Sequence, residues 1–274
     1  MDDILTQFTI KKFSDSYWRI TFNNPPINLV NPETILEFQK IINMIEMDKV
    51  LQVVVFDSTN PDYFFARYDL TRVKETPTQT GPTGLPTWID FTTRLSQVPV
   101  ISIASIRGRT RGVGSEFALA CDLRFGSREK AILGQPEVPA GVIPGGGAIE
   151  RLPLLVGRAR ALEIIVGGDD FDAETAERYG WLNRSIADSK LDEFVDSLAK
   201  RIANFDKTAV IEAKRLVNRN SQPSAQDMIE SQTVFLKLAT SSGAVDRGIK
   251  ARAVAKQIGL EEFELRLGHY LGRL

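Results

Sequence analysis

The sequence predicts an α/β protein of stacked strand and helix units that ends in a helical region. Three observations carry this. Residues 53–56 and 100–106 are short, apolar, β-branched runs of the length of buried strands. Through residue 106 the order is strand, helix, strand, helix, strand, helix, strand, which argues for parallel strands joined by helices. Beyond Leu191, residues 191–203, 208–218 and 228–239 repeat helical spacing with no strand between them. The expected division is therefore residues 1–190 as core and 191–274 as a C-terminal helical region.

Each element has a local cause. Residues 8–12 and 18–22 alternate as two strands joined by a Ser-Asp turn. Asn31 followed by Pro32 is a helix start, Asn as cap and Pro at the first position, and Ile35, Phe38, Ile42 and Ile45 give that helix an apolar face. Residues 63–70, YFFARYDL, bring aromatic side chains to a turn where Asp69 caps a short helix from Leu70. Residues 76–86 are rich in Thr, Pro and Gly and are expected as a mobile surface loop. Helix is expected at residues 89–95, ended by Pro99, and again at 156–166. Asp172 caps residues 173–179, which Gly180 terminates.

The centre of the chain is residues 100–137. A buried strand gives way at residues 107–114 to glycines and arginines, then to a helix over residues 115–121. Strands at 123–125 and 131–133 follow, leading to Gln135, Pro136 and Glu137. Two glutamates stand among apolar neighbours here, Glu116 within SEFALAC and Glu137 after a proline. Most glutamates are surface residues. These two contexts instead suggest a shared site.

Composition removes several classes. The 34 basic residues against 35 acidic ones leave a formal charge of −1, without the basic excess of a nucleic-acid surface. One cysteine, Cys121, excludes internal disulfides, and a single His269 near the end argues against a His-based triad. No Cys/His cluster offers a zinc site. No run approaches the roughly 20 apolar residues of a membrane span, and the start, MDDILTQF, has no apolar signal core. A soluble cytoplasmic protein is expected. The glycines at 145–147 lack a following Lys and do not form a phosphate-cradling loop.

Two long motifs give the centre of the chain a family likeness. RGRTRGVGSEFALACDLR, residues 107–124, resembles NGxAxGGGxELAxxCDxR of the crotonase family, the enoyl-CoA hydratase and isomerase superfamily. GQPEVPAGVIPGGG, residues 134–147, resembles that family's GQPE and LGxIPGxGG. FFARYDL at 64–70 is similar to FSAGADL, and LLVGRARALEIIVGG at 154–168 and AKRLVN at 213–218 extend the likeness over about residues 18–255.

The resemblance implies a crotonase-like spiral of strand-helix units closed by C-terminal helices that assemble homotrimers or dimers of trimers. It implies acyl-CoA thioester substrates, with coenzyme A as part of the substrate and no other cofactor or metal. It also implies an enolate held by two backbone N–H groups, here Tyr68 and Val113, with Glu116 and Glu137 as acid and base for hydration of a 2-enoyl thioester. Substrate contacts implied by the match are Pro26, Ile27, Ala66, Asp69, Leu70, Gly112 and Gly145. An isomerase, needing one carboxylate, and an inactive family member are the alternatives.

This chain departs from the family pattern in four places. Val113 replaces the middle glycine of GGG, so it must take negative φ to deliver its N–H. Arg67 and Tyr68 replace a small Gly and Ala; Arg67 is expected to point outward, failing which it pairs with Asp69, Glu137 or a substrate carboxylate. Thr71 stands where some members place a lysine toward the CoA phosphates. Arg107, Arg109 and Arg111 are expected in a solvated or subunit-interface loop, or, more sharply, with one facing a second carboxylate on the acyl group. Cys121 and Trp181 are expected in the core and His269 at the surface.

Overall fold

The computed structural model of the protein describes residues 5–274. Strands β1 (Phe8–Ser14) and β2 (Tyr17–Phe22) form the predicted antiparallel hairpin, and β2 then pairs in parallel with β3 (Val53–Ser58). The parallel ladder continues through β4 (Ile101–Ile106), β6 (Leu123–Ser127) and β9 (Arg184–Ile186), giving a six-stranded sheet in the order β1-β2-β3-β4-β6-β9. A second sheet joins β5 (Arg109–Arg111), β7 (Ile132–Gly134) and β8 (Asp170–Asp172). Its three strands have three residues each, too short to show a period of two. Of these β7 was expected at 131–133, whereas β5, β8 and the equally short β9 of the first sheet were not.

Helix α1 (Pro32–Met47) starts where predicted. The Asn31 side chain accepts from the Thr34 N–H at 2.9 Å, and Thr34 Oγ1 accepts from the Asn31 N–H at 3.1 Å, a reciprocal cap. Helices α2 (Thr87–Gln97) and α3 (Val113–Ala120) pack with α1 around a shared aromatic cluster. Phe38 stacks on Phe91 at 4.4 Å and on Phe117 at 5.0 Å, while Phe65 lies 4.8 Å from Phe117 and 4.4 Å from Phe22. Such pairs add about 0.5–1.5 kcal/mol each beyond burial. Their consequence is positional, because Phe117 follows Glu116 on α3 and locks that helix to the sheet.

Three expectations are corrected. The predicted helix over residues 156–166 is α5 (Arg158–Gly167), separated from α4 (Ala148–Val156) by Gly157 at φ +79. The loop at 76–86 is tied down: Asp90, fully buried, accepts from the Thr83 N–H at 2.9 Å and Thr83 Oγ1 at 2.6 Å, and Leu85 is buried. Residues 107–111 are not a solvated loop. Arg107 pairs with Asp188 and Asp192 at 2.9 Å, and Arg111, 1% exposed, grips Asp170 through two bonds of 2.6 Å.

The C-terminal region begins inside the sheet's own packing. Helix α7 (Asp188–Ala203) covers the sheet face opposite α1, burying Leu191, Val195 and Ala199 against Tyr17, Val53, Val55, Ile103 and Phe125. Helix α8 (Lys207–Asn218) is pinned to the same core by Lys214, whose Nζ donates to Asp122 at 2.8 Å and to the Val100 carbonyl at 2.7 Å. Then α9 (Ala225–Ala239), α10 (Ser242–Ile258), α11 (Leu260–Leu265) and α12 (Leu267–Leu271) follow with no strand. As expected, α6 (Ala173–Tyr179) is capped by Asp172 and ended by Gly180, Cys121 and Trp181 are buried, and His269 is partly exposed.

Candidate active site

Three segments converge at the start of α3. Gly112 takes φ +51 and ψ −123, a backbone open to glycine, and turns the chain from β5 into the helix. Val113 therefore has ordinary negative φ, as its β-branch requires. Gly114 lets the helix start approach the neighbouring turn, since a Cβ there would lie 2.0 Å from the Phe65 carbonyl oxygen. Glu116 follows two residues later, its N–H donating to the Gly112 carbonyl at 2.9 Å.

The turn at 66–69 is fixed by a strip of parallel pairing with residues 28–30. The Ala66 N–H donates to Asn28 O at 3.0 Å, Val30 N–H to Arg67 O at 2.9 Å and Asp69 N–H to Val30 O at 2.8 Å. This alternation turns the Tyr68 N–H away from the strip, and it donates to no protein acceptor among the described residues. Val113 N–H, at the first helical position, likewise donates to none, and there the helix dipole adds positive potential. Two undirected N–H groups thus stand at the positions the motifs implied. Asn28, which the sequence gave no reason to single out, holds the arrangement: fully buried at φ +54, its Nδ2 donates to Ser58 Oγ at 2.7 Å and to the carbonyls of Tyr63 and Phe64 at 3.1 and 3.2 Å.

The glutamates are held from different sides. Glu116 is 4% exposed, and its Oε1 accepts from the Gly146 N–H at 2.6 Å, at the glycine-rich entry to α4. Burial pushes its carboxyl up to about 7 despite donors from Gly146 and Ala148. Glu137 lies opposite. Its Oε1 would be 2.6 Å from a Cβ on Gly112, and Gln135 bridges it to α3. With the amide oriented to satisfy both ends, Gln135 donates to Glu137 Oε2 at 3.0 Å and accepts from Ser115 Oγ at 3.0 Å. Although part of Glu137 reaches solvent, the protein around its carboxyl removes most hydration and raises it well above the ordinary carboxylate range; the nearby Glu116 charge raises it further. The two carboxyls interact, and both are raised above the ordinary carboxylate range.

The remaining implied contacts spread around this centre. Pro26 is exposed and Ile27 partly so, with the Pro26 carbonyl accepting from Asn60 Nδ2 at 2.9 Å. Asp69 caps the 3-10 turn Leu70–Glu75 through the Thr71 N–H at 3.0 Å, and Leu70 is exposed. Gly145 faces α9, where a Cβ would lie 2.7 Å from Phe235 Cβ. The Tyr68 ring packs on the main core, and its hydroxyl meets Thr76 Oγ1 at 2.5 Å.

Arg67 takes neither expected course. It neither points outward nor pairs with Asp69 or Glu137; its guanidinium binds Glu264 of α11, a carboxylate 1% exposed. Arg111 Nη1 donates to the Glu264 carbonyl at 2.7 Å and Arg109 Nε to the Leu265 carbonyl at 2.9 Å. With Arg107 bound to α7, all four arginines are engaged by protein acceptors. Their carboxylate partners are 59 to 197 residues away, beyond the reach of any local pattern.

Chemically, paired carboxyls beside two undirected N–H groups can pass a proton and hold a developing oxyanion. The enoyl-CoA hydratase/isomerase family model matches residues 12–256, and the chain belongs to that family. The short-chain-enoyl-CoA hydratase of Clostridium acetobutylicum is 31% identical over 204 residues, covering 74% of this chain and 78% of that one. A crystal structure of a candidate enoyl-CoA hydratase from Streptomyces avermitilis superposes with a TM-score of 0.91 at 40% identity, covering 99% of both chains. The enoyl-CoA hydratase of Bacillus anthracis shares the fold at a TM-score of 0.73 and 24% identity, over 90% of this chain and 96% of that one.

Proposed function

We propose that this protein is an enoyl-CoA hydratase, adding water across the C2–C3 double bond of a 2-enoyl-CoA thioester. The observation that carries this is the interacting pair of glutamates, both raised by the loss of hydration around their carboxyls. Two raised, interacting carboxyls can share one proton near neutral pH, supplying an acid and a base in one site.

In this account the thioester oxygen accepts from the N–H groups of Tyr68 and Val113. As water adds to C3, its proton passes to Glu116 and the C2–C3 π pair moves toward the thioester oxygen. Each donor there is worth about 3 kcal/mol as the enolate forms. Glu137 then delivers a proton to C2. An isomerase would need only one carboxylate, and an inactive scaffold would need neither the turned-out N–H groups nor the raised carboxyls.

The engagement of Arg67, Arg107, Arg109 and Arg111 by protein groups supports an acyl chain without a second carboxylate. No cofactor is required beyond the CoA of the substrate. Exposed Val234, Leu236, Val245 and Ile249 on α9 and α10 support assembly as a homotrimer or dimer of trimers. The single cysteine, buried Cys121, suits the cytoplasm. The experiment is loss of the ultraviolet band of the conjugated thioester across a panel of 2-enoyl-CoAs. No loss with any of them would overturn the proposal.

A further inference from the structure

Trp88 stands at the second position of α2 and is 8% exposed. Its ring lies edge-on to Phe38 at 6.0 Å and tilted on Phe91 at 5.7 Å, contacts that fix where the N–H points. That N–H is buried and has no acceptor among the described residues. A buried indole donor ordinarily finds one. Trp18 and Trp181 also lack acceptors, but Trp18 lies in β2 with the Lys12 ammonium over its ring, and Trp181 packs against Phe171.

Trp88 is distinguished by what it faces. A Cβ built on Gly146 would lie 2.2 Å from Glu116 Oε2 and 2.5 Å from Trp88 Nε1. Both polar atoms therefore close in on Gly146, which only a residue without a side chain allows, and so lie within 4.7 Å of each other. One oxygen atom with two hydrogen bonds of about 2.8 Å can join them. Glu116 Oε1 is already held by the Gly146 N–H, so Oε2 is the oxygen turned toward the indole.

We propose that the Trp88 indole N–H is a further catalytic donor, holding the oxygen that adds to C3 of the enoyl thioester between Nε1 and Glu116 Oε2. This rests on the hydratase function proposed above. The water accepts from Nε1 through one lone pair, donates one hydrogen to Oε2, and keeps its second lone pair for C3. As the C3–O bond forms, that hydrogen passes to Glu116, the π pair moves to the thioester oxygen, and Glu137 protonates C2. One water is consumed and nothing is oxidised or reduced. In the reverse direction the same N–H supports the departing hydroxyl oxygen.

Trp88→Phe keeps a ring for Phe38 and Phe91 and removes the donor. Three quantities are read on wild type and variant: the turnover number for a 2-enoyl-CoA, the Kd of the saturated acyl-CoA of the same length by calorimetry, and the melting temperature. The expected result is a loss of turnover of about 10- to 100-fold, with Kd within about twofold and the melting temperature unchanged, because the N–H meets only the oxygen at C3. Turnover within twofold of wild type would overturn the proposal alone. A turnover loss matched by weaker acyl-CoA binding or lower melting temperature would also overturn it, assigning Trp88 to packing. Absence of hydration in the wild-type protein would instead overturn the function on which it rests.

Discussion

Gly112→Ala probes how the site keeps Glu137 in place. Gly112 has φ +51 and ψ −123, a conformation that costs a residue with a side chain about 1–3 kcal/mol. The added Cβ would also lie 2.6 Å from Glu137 Oε1, so the carboxyl must retreat by roughly 1 Å to regain ordinary contact. A displacement of that size at a reacting group costs on the order of 100-fold in rate. For a chain of this size the strain lowers the melting temperature by about 2–10 °C. The assay is a thermal melt together with steady-state hydration of a 2-enoyl-CoA, separating turnover from KM. Turnover should fall about 100-fold, since the added Cβ meets the Glu137 carboxyl. A variant with wild-type turnover and an unshifted melt would refute both the placement of Glu137 and the strain argument.

Other perturbations test neighbouring parts of the account. For hydration, kcat/KM should follow a bell over pH, rising as the glutamate pair loses its first proton and falling as it loses its second. Because the Glu116 carboxyl is raised in the folded state, the native protein binds more protons than the unfolded chain between pH 4.5 and about 7. Stability should therefore decline across that window by at most about 1.4 kcal/mol per pH unit from this group, a slope that denaturant titration of Glu116→Gln should lack. Glu264→Gln removes the buried partner of Arg67 and should destabilise by about 1–3 kcal/mol, since Arg67 retains some access to water; an unchanged denaturation midpoint would discount that link between α11 and the oxyanion turn. Tyr68→Ala, which removes a ring held by Thr76 beside that turn, should raise activity on long enoyl chains relative to short ones, and an unaltered ratio would show that Tyr68 does not limit chain length.

What could be read from the sequence was what local chemistry decides. The Asn31 cap, the Asp69 cap, the Asp172–Gly180 helix and the buried strands β3 and β4 depend on residues a few positions apart. The glutamates were legible because each sat inside an apolar context that a surface carboxylate does not need. Long-range partners could not be read in this way. Arg67 and Arg111 look like surface charges until α11 returns to them, and Asp90 looks like a helix surface residue until Thr83 folds onto it. Trp88 was hidden for the same reason, its relation to Glu116 existing only through Gly146, 58 positions along the chain. Apolar aromatic residues in the core gave a pattern, whereas the indole N–H that shares Gly146 with Glu116 gave none.

The central claim is that Glu116 and Glu137 act as base and acid in one hydration. Its most direct test is the rate of loss of the enoyl-thioester ultraviolet band with wild type, Glu116→Gln and Glu137→Gln, each checked for acyl-CoA binding. Both variants should bind acyl-CoA within a few-fold of wild type and lose about 10²–10⁴-fold in turnover. Either variant hydrating at the wild-type rate would contradict the account.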